Sequence, residues 1–446
     1  MYAVTNPATG EVEEEYETFT DDQVREAVAS ADRTWHEWSR VSSLDSRIRL
    51  MHNVVEIYMR RKDELADIIH HEMGKSVEEA VGEVEFSAQI YAYYADHARE
   101  LLADMPVDRV AGGAAVVRKL PVGPLLGIMP WNYPYYQVAR FAGPNLLIGN
   151  TVILKHASLC PKSSAAMESA FLEAGFPHGA FVNVYATTDQ VADIIADPRV
   201  RGVSLTGSER AGRAVAAEAG RALKKVVCEL GGNDPFIVMS TDDLDETVRY
   251  GVAARYENVG QICNGAKRFI IVDGLYDEFL AKFADASRAL DLAPLCSQEA
   301  AENLSRQVHR ALDEGATLVM GDPDNHGARF SPTILADIPE GASARHEEFF
   351  GPVSQFYRVS DAGEALRVAN DSPYGLGSYV FTTDTAEAEF FADGLETGMT
   401  YVNEAGADSA ELPFGGVKNS GFGRELGVLG MREFVNLKLV TRHARA

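Results

Sequence analysis

The stretch NTVILKHASLCPKSSAAMESAFLEAGFPHGAFVNVYA, Asn150 to Ala186, decides the fold. NTVILK is a short β-branched and aliphatic run, long enough for a buried strand and too short for a helix. SSAAMESAFLEAG then places apolar residues at helical spacing and closes on Gly175, a residue suited to ending a helix. FVNVYA returns to strand character. Strand, helix, strand is a βαβ unit, and two strands joined by such a crossover run parallel.

Working outward, the alternation continues. TDQVADIIAD, RGVSLTG, SERAGRAVAAEAG and KKVVCELGG follow in order, and a second series starts at PFIVM and runs through KRFIIVD, TLVMG, PVSQFYRV, GSYVFTT and MTYVN. The expected fold class is α/β, with parallel-rich sheets covered by helices and a second α/β unit at about 233–405. In such sheets, ligands sit beyond the carboxyl ends of the strands. Upstream, residues 20–104 read as helical, from Val24, Val28, Ala31 and Trp35 at helical spacing and from Gly74 placed to end a long helix beginning near Ser43. After Pro106, VVRKLPVGPLLGIMPW implies short strands and a turn, with a linker or arm near 106–122.

A chain of 446 residues exceeds what one core supports, so two or three structural units are expected. The 46% hydrophobic and 24% charged composition is that of a soluble enzyme, and no apolar run reaches the length of a membrane span. The N-terminus, MYAVTNPATGEVEEEYETF, has neither a basic region nor an apolar stretch, so no signal peptide is expected and the reading is cytoplasmic. A net charge of −25 argues against nucleic acid and anionic membrane as partners, because both demand positive charge. Only 11 of the 41 basic residues are Lys, a balance that fits either simple solubility or adaptation to a salty cytoplasm. Cys160, Cys228, Cys263 and Cys296 show no metal-ligand or disulfide spacing, so no metal site is expected.

Three short segments hold groups with catalytic potential. NVGQICNGAKR, Asn258 to Arg268, puts Cys263 between a helix-like run and a strand-like one; a lone Cys there is either a nucleophile or a buried apolar thiol. PWNYP puts the Asn132 amide among rigid neighbours, where it either holds an oxyanion or stabilises its own turn. VVCELGG ends an apolar strand on Glu229, which burial would make a useful base unless Lys224 or Lys225 pairs with it. Cys228 points to the opposite face of the same strand and reads as core.

Together, ELGGNDPFIV, NVGQIC, EEFFGPV and PFGGVKNSGFGRE resemble the aldehyde dehydrogenase superfamily, and the resemblance runs from NPATGEV near residue 6 to about residue 440. It implies two Rossmann-like α/β domains plus a small β oligomerisation arm. The cofactor-binding domain would comprise 1–105 and 123–230, the catalytic domain 231–405, and the arm 106–122 with 430–446; residues 406–429 would return to the cofactor-binding domain. Cys263 matches the family nucleophile, Asn132 the oxyanion donor and Glu229 the group that activates water. The implied reaction is oxidation of an aldehyde to an acid through a thiohemiacetal and a thioester. Presence of Glu229 favours hydrolysis over transfer to CoA, and retention of Cys263 and Glu229 argues against a noncatalytic relative.

The same resemblance implies NADP or NAD as cofactor. Leu205 to Gly212, LTGSERAG, would meet the pyrophosphate through Gly207 and Ser208, Glu348 and Phe350 would hold the nicotinamide-side ribose, and Trp131 and Leu230 would line the same site. Lys155 would grip the adenosine ribose. Three residues on, where NAD-preferring relatives carry Glu, stands Ser158; Lys155, Ser158 and Lys162 would accept a 2′-phosphate, so NADP is expected to be accepted. Arg140, eight residues after Asn132, resembles the arginine that pairs with the distal carboxylate of succinate semialdehyde; a second arginine of some relatives is replaced by Glu257, and Ser409 is the candidate for supplying a hydroxyl. The segment LDLAPLCSQEAAENL is shorter than the usual family connection. VVRKLPVG and FVNLKLVTRH would build a homodimer or homotetramer.

Overall fold

The computed structural model describes residues 1–39, 41–108, 113–406 and 408–442. Its centre is a six-stranded sheet in the order Gly421–Phe422, Lys225–Glu229, Gly202–Thr206, Pro124–Met129, Thr151–His156, Phe181–Asn183. All neighbours in it are parallel except the first pair, in which Gly421 lies opposite Glu229. The βαβ unit at 150–186 is present as Thr151–His156, helix Pro161–Glu173 and Phe181–Asn183. These strands are buried on both faces, which is why they read as unbroken apolar runs rather than as alternation.

A second sheet of seven strands runs Thr317–Met320, Thr333–Ala336, Val353–Val359, Ala266–Val272, Asp234–Val238, Tyr379–Phe381, Tyr401–Val402. It is parallel but for the first edge strand, which pairs antiparallel. Two parallel-rich α/β sheets match the fold class read from the sequence. The arm-like segments also meet: Val435–Arg442 pairs antiparallel with Ala114–Pro121, which pairs with Met105–Val107 in a three-stranded sheet.

The α-rich segment differs in one respect from expectation. The single helix from near Ser43 to Gly74 is two helices, Leu44–Arg60 and Lys62–Met73, divided where Arg61 leaves helical geometry (φ −101°, ψ 13°). Gly74 ends the second in the left-handed conformation (φ 79°). Behind them, Val77–Leu101 packs against Pro134–Ile148, a helix buried along its whole length. That helix starts directly after the strand Pro124–Met129 and the turn Pro130–Tyr133. It therefore carries Gln137 and Arg140 from the sheet's carboxyl end into the interior. Among the described residues, no helix is long and apolar enough to cross a membrane.

Candidate active site

Cys263 stands in a turn whose backbone is strained. Helix Leu244–Tyr256 ends, and Asn258, Val259 and Gly260 follow with φ of 47°, 57° and 74°. Left-handed geometry disfavours a β-branched residue such as Val259, so the surroundings must hold it. They do so by hydrogen bonds. Asn258 donates from its backbone to Glu79 Oε1 (2.8 Å) and from its side chain to the Asn132 carbonyl (2.9 Å). Asn132 Nδ2 donates to the Gln261 carbonyl (3.0 Å), and Gln261 Oε1 accepts from the backbone of Cys296 (2.9 Å). The segment around Cys296 thus braces the cysteine turn.

The basic pair after the cysteine has a structural answer. Lys267 Nζ is fully buried and donates to the carbonyls of Cys263 (2.7 Å) and Ile262 (2.9 Å). It also reaches Glu348 Oε1 at 3.3 Å. Arg268, on the same strand, donates to the Asn233, Val368 and Ala369 carbonyls. Arg255 closes the turn from the other side, on the Gly260 and Ala266 carbonyls. A charge buried in an apolar strand must be fully hydrogen-bonded, and the sequence signal for these braces was that basic pair inside an otherwise apolar run.

Two cavities meet at the cysteine. One, of about 290 Å³, is lined by Trp131, Asn132, Glu229, Leu230, Glu348 and Phe350, with Gly207, Ser208 and Cys263. The other, of about 340 Å³, is lined by Tyr133, Tyr136, Glu257, Asp408, Phe414 and Cys263, among others. Cys263 and Gln137 face both. Burial pushes the Cys263 thiol up to about 12, with Arg140 and Lys267 pulling against it.

Glu229 is 2% exposed, and both its carboxylate oxygens lack a hydrogen-bond partner among the described residues. Burial, then the nearby Glu425, hold its pKa well above the ordinary carboxylate range. Lys224 and Lys225 do not pair with it: Lys224 donates to the Asp197 carbonyl (2.5 Å) and Lys225 meets Glu433 (2.6 Å). Cys228 packs in the core on the opposite face.

The first cavity fits a dinucleotide. Gly207 leaves open space, since an added Cβ would meet only Leu205, at 3.8 Å. Ser208 caps the thirteen-residue helix Glu209–Arg221, so free amides and a positive dipole end adjoin the cavity. Thr206 Oγ1 is buried there with no hydrogen-bond partner among the described residues. Glu348 accepts from the Gly232 backbone (3.0 Å), and Trp131 and Phe350 meet edge to face at 5.8 Å. Lys155, within the neighbouring strand Thr151–His156, and Ser158, just past its end, lie outside this cavity. Lys155 Nζ stands 5.6 Å from the Tyr2 ring centroid, and Ser158 is exposed. Lys162 reaches Glu14 at 3.9 Å.

Arg140 and Ser409 are not brought to the second cavity wall. Arg140 is 1% exposed; its Nε meets Glu425 Oε2 at 2.8 Å, Nη1 donates to the Tyr136 hydroxyl (3.2 Å), and Nη2 donates to Gln137. Its guanidinium lies over the rings of Tyr136 (4.6 Å) and Phe414 (4.4 Å), which do line the cavity. Burial pulls its pKa down, but Tyr136 and Glu425 outweigh burial and keep it charged. Asp408, beside Ser409, is the residue at the wall. Asp408 and Glu425 carry no sequence signal of their own: one sits in a loop, the other in a glycine-rich run, and only folding half-buries the first and buries the second.

With this geometry in view, the class is defined: the chain belongs to the aldehyde dehydrogenase family, whose model matches residues 1–440. More particularly, it is 46% identical to a succinate-semialdehyde dehydrogenase [NADP(+)] of Deinococcus radiodurans, over 98% of this chain and 94% of that protein. A protein of the same name from Mycobacterium avium is 40% identical, over 98% and 96%. Among solved structures, the succinic semialdehyde dehydrogenase of Streptococcus pyogenes in complex with NADP+ superposes with a TM-score of 0.96 at 40% identity, covering 99% of each chain.

Proposed function

We propose that this protein oxidises an aldehyde to a carboxylic acid through a covalent intermediate on Cys263, with succinate semialdehyde as substrate and NADP as cofactor. The observation that carries the reading is the position of Cys263 at the junction of two cavities, one fitted to a dinucleotide and one walled by Tyr133, Tyr136 and Phe414. The Cys263 thiolate adds to the aldehyde carbon, and the Asn132 amide with the Cys263 backbone N–H holds the oxyanion. When bound, the nicotinamide supplies the acceptor for the hydride, and the carbon becomes a thioester. Glu229 takes a proton from water, which displaces the thiol and releases the acid. Attack by water rather than CoA is favoured by the free carboxylate of Glu229 in the cofactor cavity.

Gly207, Ser208, Leu230, Trp131, Glu348 and Phe350 hold the dinucleotide, with Lys155 and Ser158 at its adenosine end. Arg140 supplies positive field for the distal carboxylate of the substrate, and Ser409 a hydroxyl. The relatives' names support both substrate and cofactor. The division of the chain that goes with this reading is 1–105, 123–230 and 406–429 for the cofactor, 231–405 for the nucleophile, and 106–122 with 430–446 for the arm of a homodimer or homotetramer; the separate sheets among the described residues support it.

The test is absorbance of the reduced nicotinamide with a panel of aldehydes, each cofactor in turn, with and without CoA. Succinate semialdehyde with NADP is expected to give the highest kcat/KM among carboxylate-bearing aldehydes, without need of CoA. Cys263→Ala is expected to abolish the signal; undiminished oxidation by that variant ends the proposal.

A further inference from the structure

The helix that follows the strand of Lys155 does not cap itself. Pro161–Glu173 has Pro161 at its first position, and the residue before it, Cys160, makes no side-chain hydrogen bond to the free amides of the first turn. Elsewhere the chain supplies such caps locally, as Ser208 does for Glu209–Arg221 and Asp243 for Leu244–Tyr256. Here the cap comes from 90 residues upstream. Glu72, in the last turn of Lys62–Met73, accepts from the backbone of Lys162 (2.6 Å), from that of Ser163 (3.2 Å) and from the Ser163 hydroxyl (2.5 Å).

The neighbouring helix uses the same device. Pro134–Ile148 also starts on a proline with no cap of its own, and Glu83 accepts from the backbone of Tyr135 (2.8 Å) and of Tyr136 (3.2 Å). The two borrowed caps differ in their partners: Glu83 meets the Lys75 ammonium at 2.5 Å, whereas the amides and the hydroxyl that donate to Glu72 are neutral. Glu72 is 0% exposed, so it reaches no ligand and acts only through the helix start it holds. That start belongs to the corner assigned to the adenosine end of the dinucleotide. Lys155 lies in the strand Thr151–His156, Ser158 in the short link between strand and helix, and Lys162 in the capped turn. Other segments pin the link as well: the Ser158 carbonyl accepts from the Ala3 backbone (3.1 Å), and the Pro161 carbonyl from the Tyr185 hydroxyl (2.9 Å). A link this short passes a shift of the helix start directly to Ser158.

We propose that Glu72 is a positioning residue for the 2′-phosphate of NADP: by capping the helix Pro161–Glu173 it sets Ser158 and Lys162 where that phosphate meets them, and so governs the choice between NADP and NAD without touching either. This inference rests on the reading of Ser158 and Lys162 as partners of the phosphate. Burial pushes the Glu72 carboxyl up to about 8, with its hydrogen bonds to Ser163 and Lys162 pulling against that rise, so the wild-type group is ionised at about pH 9.

The experiment measures binding by calorimetry at that pH, with adenosine 2′,5′-bisphosphate and adenosine 5′-monophosphate, which differ only in the 2′-phosphate. The wild type is expected to bind the bisphosphate more tightly. Glu72→Gln turns one acceptor oxygen into a donor facing a backbone amide, and is expected to lower the ratio of the two affinities about fivefold or more. Ser163→Ala removes one donor and keeps the carboxylate; it is expected to lower the ratio by less, about twofold. In turnover, the loss in Glu72→Gln is expected in KM for NADP, with kcat and KM for NAD little changed. A general loss of folding moves both affinities together and leaves their ratio where it was. An unchanged ratio in Glu72→Gln overturns the inference, because the cap then only stabilises the helix; a raised ratio also overturns it, because the carboxylate then only repels phosphate. Equal affinity of the wild type for the two nucleotides overturns instead the reading on which the inference rests.

Discussion

At Cys263 and Glu229 the two groups proposed to react share one problem: loss of solvent raises the pKa of both. Their reactive forms are the deprotonated ones, whose populations grow only as pH climbs. The kcat/KM for aldehyde oxidation is therefore expected to rise from the neutral into the alkaline range, and a profile falling over that interval would contradict the assigned roles. Glu229→Gln removes the base but not the nucleophile. It is expected to lower kcat about 10²- to 10⁴-fold while retaining a first-turnover burst of reduced nicotinamide, seen in stopped flow. Arg140 needs more care, because Arg140→Ala strands Glu425 without its cation in the interior. That should cost about 3–5 kcal/mol of stability, read as a fall in denaturation midpoint. The pairing Arg140→Met with Glu425→Gln removes both charges together. If Arg140 reads the distal carboxylate, the double variant loses more kcat/KM for succinate semialdehyde than for butanal, with Glu425→Gln alone as control.

Several elements exist to place these residues. The short strand Gly421–Phe422 pairs with Lys225–Glu229 so that Gly421 faces Glu229. A Cβ on Gly421 would stand 1.9 Å from the Cys228 carbonyl oxygen, and its φ of 112° is strained for any other residue. Gly421→Ala is therefore expected to push this strand off its partner and to depress activity about tenfold or more, measured as kcat, with less effect on global stability. The PFGGVKNSGFGRE run was legible as a family signature, but its glycines gain a physical reason only from the contact with the strand that ends on Glu229. Similarly, the helix Pro134–Ile148 was legible as the carrier of Arg140, since it follows Asn132 directly. The direction of the guanidinium was not, because the partner that claims it comes from near the other end of the chain.

Over the whole molecule, excess negative charge opposes compaction by self-repulsion. Raising KCl screens it, so the thermal midpoint is expected to increase with salt well beyond the concentration at which isolated surface pairs are screened; a midpoint that falls on adding KCl would argue for simple solubility instead. The strand Val435–Arg442 leaves Leu437 and Leu439 exposed at 49% and 60%. Apolar residues on an outlying three-stranded sheet are a place for a second subunit, and charge substitutions at both are expected to lower the mass seen by light scattering.

From the sequence alone came the parallel α/β architecture, because a two-sided buried strand must be apolar throughout and its crossover helix amphipathic, and both patterns are local. The candidates for nucleophile, base and oxyanion donor, Cys263, Glu229 and Asn132, came from short motifs that resemble those of the family, and the fold brings all three to one cavity. What only the tertiary structure decided is where charge lies. Lys267 on Glu348, Glu425 on Arg140, and Glu257 and Asp408 on one cavity wall bring together segments remote along the chain. Electrostatic surroundings depend on distance and burial in space, and neither quantity is a property of neighbouring residues in sequence.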